Sequence, residues 1–187
     1  MDLRAQGLNA LVTGGTRGIG RAVVSTLLDE GVNVAFCARG ADAVRKTAQE
    51  LSGGAARVIG DAVDVGDAEA MNAWVERSAE AMGGIDIVVS NVSALAIPDT
   101  DENWEASINV DLMGTVRLVK SAMPHLEKSR AGAIVTVSSV SGREVDFASG
   151  PYGTVKTAIV GYTQGLAFQL AGKGIRANTV SPGNTYF

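Results

Sequence analysis

The 187-residue sequence contains few side chains that could cross-link it or bind a metal ion. It has one cysteine, Cys37, and one histidine, His125, so an internal disulfide is impossible and a zinc site built on several histidines is not expected. Cys37 lies within an apolar segment, where a free thiol packs as a small hydrophobic group. The sequence therefore predicts no metal site and no disulfide framework.

Positive charge and long hydrophobic runs are also scarce. The net charge is −4, from 20 acidic and 16 basic residues, so the basic face of a nucleic-acid-binding protein is not expected. No apolar run approaches the length of a membrane span, and the N-terminus lacks the charged-then-apolar pattern of a signal peptide. We therefore predict a cytoplasmic protein with no nucleic-acid or membrane partner.

Hydrophobic residues make up 46% of the sequence and follow two alternating patterns. Six short segments, rich in valine and isoleucine as strands buried on both faces are, span residues 10–12, 34–38, 57–62, 85–89, 133–137 and 176–180. Five longer segments with helical spacing span residues 21–30, 41–51, 67–82, 104–126 and 152–171. This alternation predicts an α/β fold, a doubly wound parallel sheet of the Rossmann type with helices on both faces. No linker or repeat interrupts it, so one domain over residues 1–187 is expected.

A glycine-rich stretch follows the first predicted strand. Residues 10–20 read ALVTGGTRGIG, with glycines at positions 14, 15, 18 and 20. Glycine lets backbone N–H groups approach an anion closely, and a following helix adds the partial positive charge of its N-terminus. A Walker A loop does not fit, because Arg21 and Ala22 stand where its lysine and hydroxyl residue would be. The G-x-G-x-x-G spacing is not matched either, yet the stretch predicts a phosphate cradle.

Tyr152 and Lys156 lie four residues apart at the start of the last predicted helix, so their side chains share one face. A free tyrosine has a pKa near 10, and acid–base work near neutrality therefore needs a positive charge close by. One such charge at about 4 Å in a partly screened site is worth about 4 kcal/mol. Ser139, at the end of the fifth predicted strand, can hydrogen-bond a carbonyl oxygen. The three residues predict a site that protonates a carbonyl while a hydride arrives from another group.

In combination, these motifs resemble the short-chain dehydrogenase/reductase family, with 3-oxoacyl-carrier-protein reductases as one plausible relative. The landmarks are Thr-Gly-x-x-x-Gly-Ile-Gly at 13–20, and Ser139 thirteen residues before Tyr-x-x-x-Lys. The resemblance runs from about residue 8 to the end of the chain, in order. It implies that Ser139, Tyr152 and Lys156 are catalytic.

The resemblance also implies a nicotinamide cofactor. Asp64-Val65 matches the family's adenine-binding pair, Asn91 belongs to its Asn-Asn-Ala-Gly motif, and Ser181-Pro182-Gly183 matches its turn against the nicotinamide. The full set of expected cofactor-binding residues is Gly14, Thr16, Arg17, Gly18, Ile19, Gly20, Arg39, Asp64, Val65, Asn91, Tyr152, Lys156, Pro182 and Gly183.

Two arginines indicate which nicotinamide cofactor is preferred. Ala38 stands at the family position where an acidic residue holds the ribose hydroxyls, and Arg39 follows it. Arg17 supplies a second cation within the glycine-rich stretch. Because guanidinium groups match phosphate oxygens two at a time, we expect NADP (NADPH) in preference to NAD.

The sequence departs from the family's pattern at three places. Ser90-Asn91-Val92-Ser93 replaces Asn-Asn-Ala-Gly, and Asp111 aligns with the family's catalytic asparagine. Asp111 can substitute if the family uses this position through its main-chain carbonyl, whereas a requirement for the side-chain amide would weaken proton relay. The sequence ends at Phe187, before the family's substrate-covering segment and last strand. We expect either a longer polypeptide or a fragment with an incomplete substrate site.

The function predicted is an NAD(P)-dependent oxidoreductase that reduces a small-molecule ketone to a secondary alcohol and catalyses the reverse reaction. The alternative is a nucleotide-binding regulatory or structural protein on the same fold, since fold does not fix function.

Apolar positions on the two longest helical segments indicate whether the protein forms an oligomer. Ile108 belongs to a stripe at three- and four-residue spacing that is expected to face the core. Val160, Ala167 and Phe168 lie off the corresponding stripe of the last helix. Extra apolar surface of this kind predicts a homo-oligomer, and the family resemblance implies a dimer or tetramer built on these helices.

Overall fold

Six parallel strands form the sheet of the computed structural model, which describes residues 4–185. In chain order they are β1 (Asn9–Thr13), β2 (Asn33–Ala38), β3 (Val58–Ala62), β4 (Ile87–Ser90), β5 (Ala133–Val137) and β6 (Arg176–Val180). Their spatial order is β3-β2-β1-β4-β5-β6. The chain therefore winds outward from β1 to one edge, then returns to β4 and winds to the other edge. Ligands of such sheets bind at the carboxyl ends of the strands where the order reverses, here between β1 and β4.

Helices cover both faces of the sheet. They are α1 (Gly18–Asp29), α2 (Ala41–Leu51), α3 (Ala68–Met82), α4 (Asp101–Ala106), α5 (Gly114–Leu126) and α6 (Pro151–Leu170), with a π-helical segment (Ser107–Met113) joining α4 to α5. Short 3-10 turns follow β5 (Val140–Gly142) and α6 (Ala171–Lys173). Successive residues of β1 enter different cores, Leu11 with Trp74 on one face and Val12 with Phe36 on the other. The doubly wound α/β fold predicted from the sequence is confirmed.

Two helix starts differ from the sequence prediction, and the residue at the N-cap position explains each. The helix predicted to begin at residue 21 begins at Gly18, since Arg17 has the extended conformation of an N-cap. The helix predicted over 104–126 begins at Asp101, since the Thr100 hydroxyl accepts the Asn103 N–H at 3.3 Å. Residues 1–3 and 186–187 of the predicted domain, including Phe187, lie outside the described residues. Within residues 4–185 no helix has the length and hydropathy that crossing a bilayer requires.

Two predicted apolar positions are corrected. Ile108 was expected in the core but is 44% exposed, because the wider turn of the π segment brings Ser107 and Asp111 inward instead. Val160 was expected to face a partner subunit but is 8% exposed and packs within its own chain. Of the three residues that suggested an oligomer, Ala167 is partly buried against the core and only Phe168 is exposed, at 87%.

Candidate active site

The glycine-rich stretch is held against its neighbours more closely than side chains would permit. The N–H groups of Gly14 and Gly15 donate to the Cys37 carbonyl at 2.8 and 3.2 Å, which ties the turn after β1 to the end of β2. A Cβ at Gly15 would lie 2.6 Å from the Phe36 Cβ, and one at Gly20 would overlap the carbonyl oxygen of Gly14. Gly14 and Gly18 have φ of 73° and 55°, the left-handed region that glycine adopts without strain. The chain therefore needs glycine here for local packing as well as for any ligand.

The N-terminus of α1 presents unused donors at this turn. No side chain caps the helix at Arg17, and no acceptor among residues 4–185 takes the N–H groups of residues 18–20. Thr16 and Ile19 are half-buried beside them. Uncapped N–H groups and the positive end of a helix dipole suit a phosphate group. These residues therefore fit the pyrophosphate of a dinucleotide.

Arg17 and Arg39 are both exposed near this end of the sheet. Neither side chain forms a hydrogen bond or ion pair with any part of the chain that the structure describes. By contrast, Arg21 is paired with Glu50 at 2.8 Å. The guanidinium groups of the two predicted phosphate-binding arginines are thus available to a ligand.

Asn91 supports the glycine-rich turn from β4. Its backbone N–H donates to the Thr13 hydroxyl at 3.0 Å, and its side-chain amide donates to the Thr13 carbonyl, also at 3.0 Å. Val92 follows and its N–H reaches the same hydroxyl at 3.3 Å. Asn91, predicted to bind the cofactor, therefore uses its amide to hold the turn in place. Ser90–Ser93 departs from Asn-Asn-Ala-Gly but still forms these contacts with Thr13.

The two remaining segments that were predicted to bind the cofactor lie at other strand ends. Asp64 is exposed after β3 and its Oδ1 accepts the Gly66 N–H at 2.9 Å, whereas the Val65 side chain is 5% exposed and packs in the core. Val65 can therefore contribute to an adenine site only through its backbone. After β6, the Pro182 carbonyl accepts the Val140 N–H at 3.0 Å, which fixes the turn at Pro182 and Gly183 next to the segment that carries Ser139.

Ser139 lies at the end of β5, is 8% exposed, and belongs to a chain of hydrogen bonds. Its Oγ donates to the Ser141 Oγ at 3.3 Å and accepts the Ser141 N–H at 3.2 Å. The Ser141 hydroxyl donates in turn to Asp146 Oδ2 at 2.7 Å. Ser141 and Asp146 were not predicted from the sequence to belong to the site. The available signal was a serine two residues after Ser139, the spacing of a hydroxyl turn.

Lys156 is buried beneath Tyr152 on α6. The ammonium lies 5.5 Å from the centre of the Tyr152 ring and donates to the Val137 carbonyl at 3.2 Å. The neighbouring Ser138 hydroxyl donates to the Lys156 carbonyl at 2.8 Å, which seats α6 against the end of β5 beside Ser139. Tyr152 itself is half-buried. The structure thus brings the three predicted catalytic residues to one end of the sheet.

Asp111 is the acidic partner of this lysine. Its Oδ1 lies 3.2 Å from the Lys156 Nζ, and both side chains are 2% exposed. Its Oδ2 accepts the Ala94 N–H at 2.7 Å, and its main-chain carbonyl accepts the Thr115 hydroxyl at 2.6 Å. Burial lowers the pKa of Lys156, and the charge of Asp111 acts in the opposite direction. Asn109, two residues before Asp111, is exposed.

Comparison with known proteins agrees with this architecture. The sequence profile of short chain dehydrogenases matches residues 8–186. Isoepoxydon dehydrogenase patN of Penicillium expansum is 43% identical over 186 residues, which cover 95% of this chain and 70% of that protein.

Two solved structures share the fold. A short chain dehydrogenase from Burkholderia cenocepacia in complex with NADP superimposes with a TM-score of 0.92 at 34% identity, covering 98% of this chain and 76% of that one. An NAD+-bound xylitol dehydrogenase gives a TM-score of 0.91 at 25% identity, covering 96% and 71%. With the profile match spanning nearly the whole sequence, the chain belongs to the short-chain dehydrogenase family of oxidoreductases.

Proposed function

We propose that the protein is an NADPH-preferring oxidoreductase that interconverts a ketone and a secondary alcohol. The observation that carries the proposal is the buried Lys156 ammonium beneath the half-buried Tyr152 ring, next to the end of β5 where Ser139 lies. The positive charge lies next to the group that must exchange a proton with the substrate. The uncapped α1 N-terminus follows β1, which only β4 separates from β5, and supports a dinucleotide in reach of the same site.

The chemistry requires a hydride and a proton to reach the carbonyl group separately. The bound nicotinamide would supply the hydride to the carbonyl carbon and accept it back in alcohol oxidation. Tyr152 would give its hydroxyl proton to the carbonyl oxygen during reduction and take a proton from the alcohol during oxidation. Lys156 favours the tyrosinate form that follows proton transfer, because its positive ammonium group stabilises the negative charge that develops on the Tyr152 oxygen.

Ser139 would hold the substrate oxygen beside Tyr152. Its hydroxyl donates to the Ser141 Oγ at 3.3 Å, which is longer than the roughly 2.5–3.0 Å usual for O–H···O bonds. Turning that proton toward a substrate oxygen therefore gives up only a weak interaction. The Ser141 N–H still holds the Ser139 oxygen in position after the turn.

The preference for NADPH rests on the side chains at the end of β2. Arg39 follows Ala38 with no carboxylate at that position, and Arg17 is free beside the glycine-rich turn. The Burkholderia cenocepacia relative, whose structure contains NADP, supports this choice. The NAD+-bound xylitol dehydrogenase has the same fold, so the fold alone does not decide between the two cofactors.

The decisive experiment compares the turnover of the unmodified protein with that of two matched tyrosine variants. Purified protein is tested for NADPH oxidation with a panel of ketones and for NADP+ reduction with the corresponding alcohols. Tyr152→Phe should bind cofactor normally but lose turnover by at least the ~10²–10⁴ that general acid catalysis contributes. Tyr162→Phe, on the same helix, should keep its activity.

The outcomes separate catalysis from mere binding. Cofactor binding with neither NADPH oxidation by a ketone nor NADP+ reduction by an alcohol would support the alternative of a regulatory or structural nucleotide-binding protein. Full activity in Tyr152→Phe would show that another group exchanges the proton.

A further inference from the structure

We propose that Asp111 is a positioning residue for Lys156, holding the ammonium in place and offsetting its charge, so that catalysis depends on pH differently than it would with an amide at this position. The inference rests on the proposed roles of Tyr152 and Lys156. Asp111 is the carboxylate that stands where the family's asparagine is expected, and it is 1% exposed.

The two donors that face Asp111 favour a carboxylate over an amide at this position. Asp111 faces two donors, the Lys156 ammonium at 3.2 Å from Oδ1 and the Ala94 N–H at 2.7 Å from Oδ2. An ionised carboxylate offers two acceptor oxygens, whereas an asparagine offers one oxygen and one NH₂ group. An amide here would therefore turn a donor toward either Lys156 or Ala94. Lys156 is buried and Ala94 is partly buried, and an unmatched donor away from water is costly.

The contact joins three segments that are distant in sequence. Asp111 comes from the π segment, Lys156 from α6, and Ala94 from the loop that follows β4. The lysine also donates to the Val137 carbonyl of β5 at 3.2 Å, so its ammonium lies between that carbonyl and the Asp111 carboxylate. The carboxylate thus sets the direction in which the ammonium points.

The charges around Lys156 are few. Among residues 4–185, the ionisable side chains in contact with it are Asp111 and, on its own helix, Tyr152. From β5 it has the Val137 carbonyl as its hydrogen-bond acceptor, and the acidic Asp146 accepts from Ser141. Burial lowers the pKa of Lys156 while Asp111 acts to raise it. The pair is close to neutral overall, which weakens the positive field at Tyr152.

Replacing Asp111 with asparagine removes one negative charge and should move both proton-transfer steps to lower pH. Tyr152 would ionise more readily beside an unopposed ammonium, and Lys156 would lose its proton more readily without a counter-charge. A single charge within a few ångströms of a partly screened site is worth about 1 pH unit or more. The expected result for Asp111→Asn is therefore a shift of both limbs of the pH profile for alcohol oxidation by about 1 unit.

The experiment compares Asp111→Asn with Asp101→Asn, the same substitution at an exposed position on the same continuous helix. One readout is the pH profile of kcat/KM. The other is tyrosinate absorbance of the cofactor-free protein during an alkaline titration, with the Tyr152→Phe protein subtracted to isolate Tyr152. Tyr162 titrates separately because burial raises its pKa. The Tyr152 midpoint should fall in Asp111→Asn and stay unchanged in Asp101→Asn.

The titration needs no turnover, so it tests Asp111 even if the proposed activity is absent. Identical midpoints and pH limbs in Asp111→Asn and the unmodified protein would overturn the proposal. If Asp111→Asn does not fold, adding Lys156→Met removes the orphaned charge, and a restored cooperative unfolding transition supports the pairing. A double variant that remains unfolded overturns it.

Discussion

Three residues should decide the cofactor preference: Ala38 at the end of β2, Arg39 after it, and Arg17 in the glycine-rich turn. Each charge-assisted contact to a phosphate is worth about 1.5–3 kcal/mol, so two arginines can produce a preference of about a hundredfold or more. The ratio of kcat/KM for NADPH over NADH measures it. Ala38→Asp combined with Arg39→Leu should invert this ratio, because the new carboxylate would repel a 2′-phosphate and accept ribose hydroxyls.

The control for this prediction is Arg45→Leu. Arg45 is an exposed arginine on α2 that is already paired with Asp42. It should leave the ratio unchanged. An unmodified protein that turns over NADH faster would show that Arg17 and Arg39 are ordinary solvated arginines.

Some site residues could be identified from the sequence and others could not, for reasons that are physical. The four-residue spacing of Tyr152 and Lys156 defines a shared helix face without any knowledge of the fold. The bond from Ser141 to Asp146 and the pairing of Asp111 with Lys156 depend on side-chain rotamers and on contacts between distant elements. Neither follows from hydrophobic periodicity, which reports only which face is buried.

At the scale of single elements, the turn from β1 into α1 carries the strictest steric requirement. Gly20→Ala should abolish cofactor binding and destabilise the fold, because the added methyl group would overlap the Gly14 carbonyl and also lie 2.5 Å from the Asn91 amide. Neither neighbour is free to withdraw, since Gly14 is tied to β2 and Asn91 to Thr13. Calorimetric titration with NADP+ and thermal unfolding measure the two effects.

Gly54→Ala is the matched control for this substitution. Gly54 is exposed, its Cβ would meet no atom within 4 Å, and its backbone lies outside the left-handed region. It should bind cofactor and unfold like the unmodified protein. A Gly20→Ala protein that binds cofactor equally well would show that the turn can open without loss.

The helix between β4 and β5 shows where sequence periodicity fails at this scale. A regular 3.6-residue repeat correctly predicts a buried face through Thr115, Val119, Ala122 and Leu126. Before Gly114 the π segment adds a residue to the turn and rotates that face, so Ile108 becomes exposed. Asp111, which pairs with Lys156, lies within this segment. A regular repeat carries no signal for a local irregularity that interrupts it.

For the whole molecule, we propose a homo-oligomer formed through the outer face of α6. Phe168 is 87% exposed there, and Ile108 and Met113 of the π segment are 44% and 37% exposed. Sedimentation at micromolar concentration should therefore show a dimer or tetramer. Phe168→Asp should shift the protein toward monomer, because a carboxylate buried in an apolar interface would have no partner.

Phe147→Asp provides the comparison for the oligomer prediction. Phe147 is similarly exposed, at 85%, but lies in the loop between β5 and α6. It should sediment like the unmodified protein. A monomeric unmodified protein would contradict the proposed oligomer, and equal dissociation of both variants would place the interface elsewhere.

The strand order has a consequence for synthesis on the ribosome. β1 pairs with β2 on one side and with β4 on the other, and β4 is made only after β2, β3 and three helices have emerged. Through that interval β1, whose Ala10, Leu11 and Val12 are fully buried in the finished protein, forms an unprotected sheet edge. The nascent first half should therefore be the stage at which the chain depends most on chaperones, and the arrival of β4 would end that exposure.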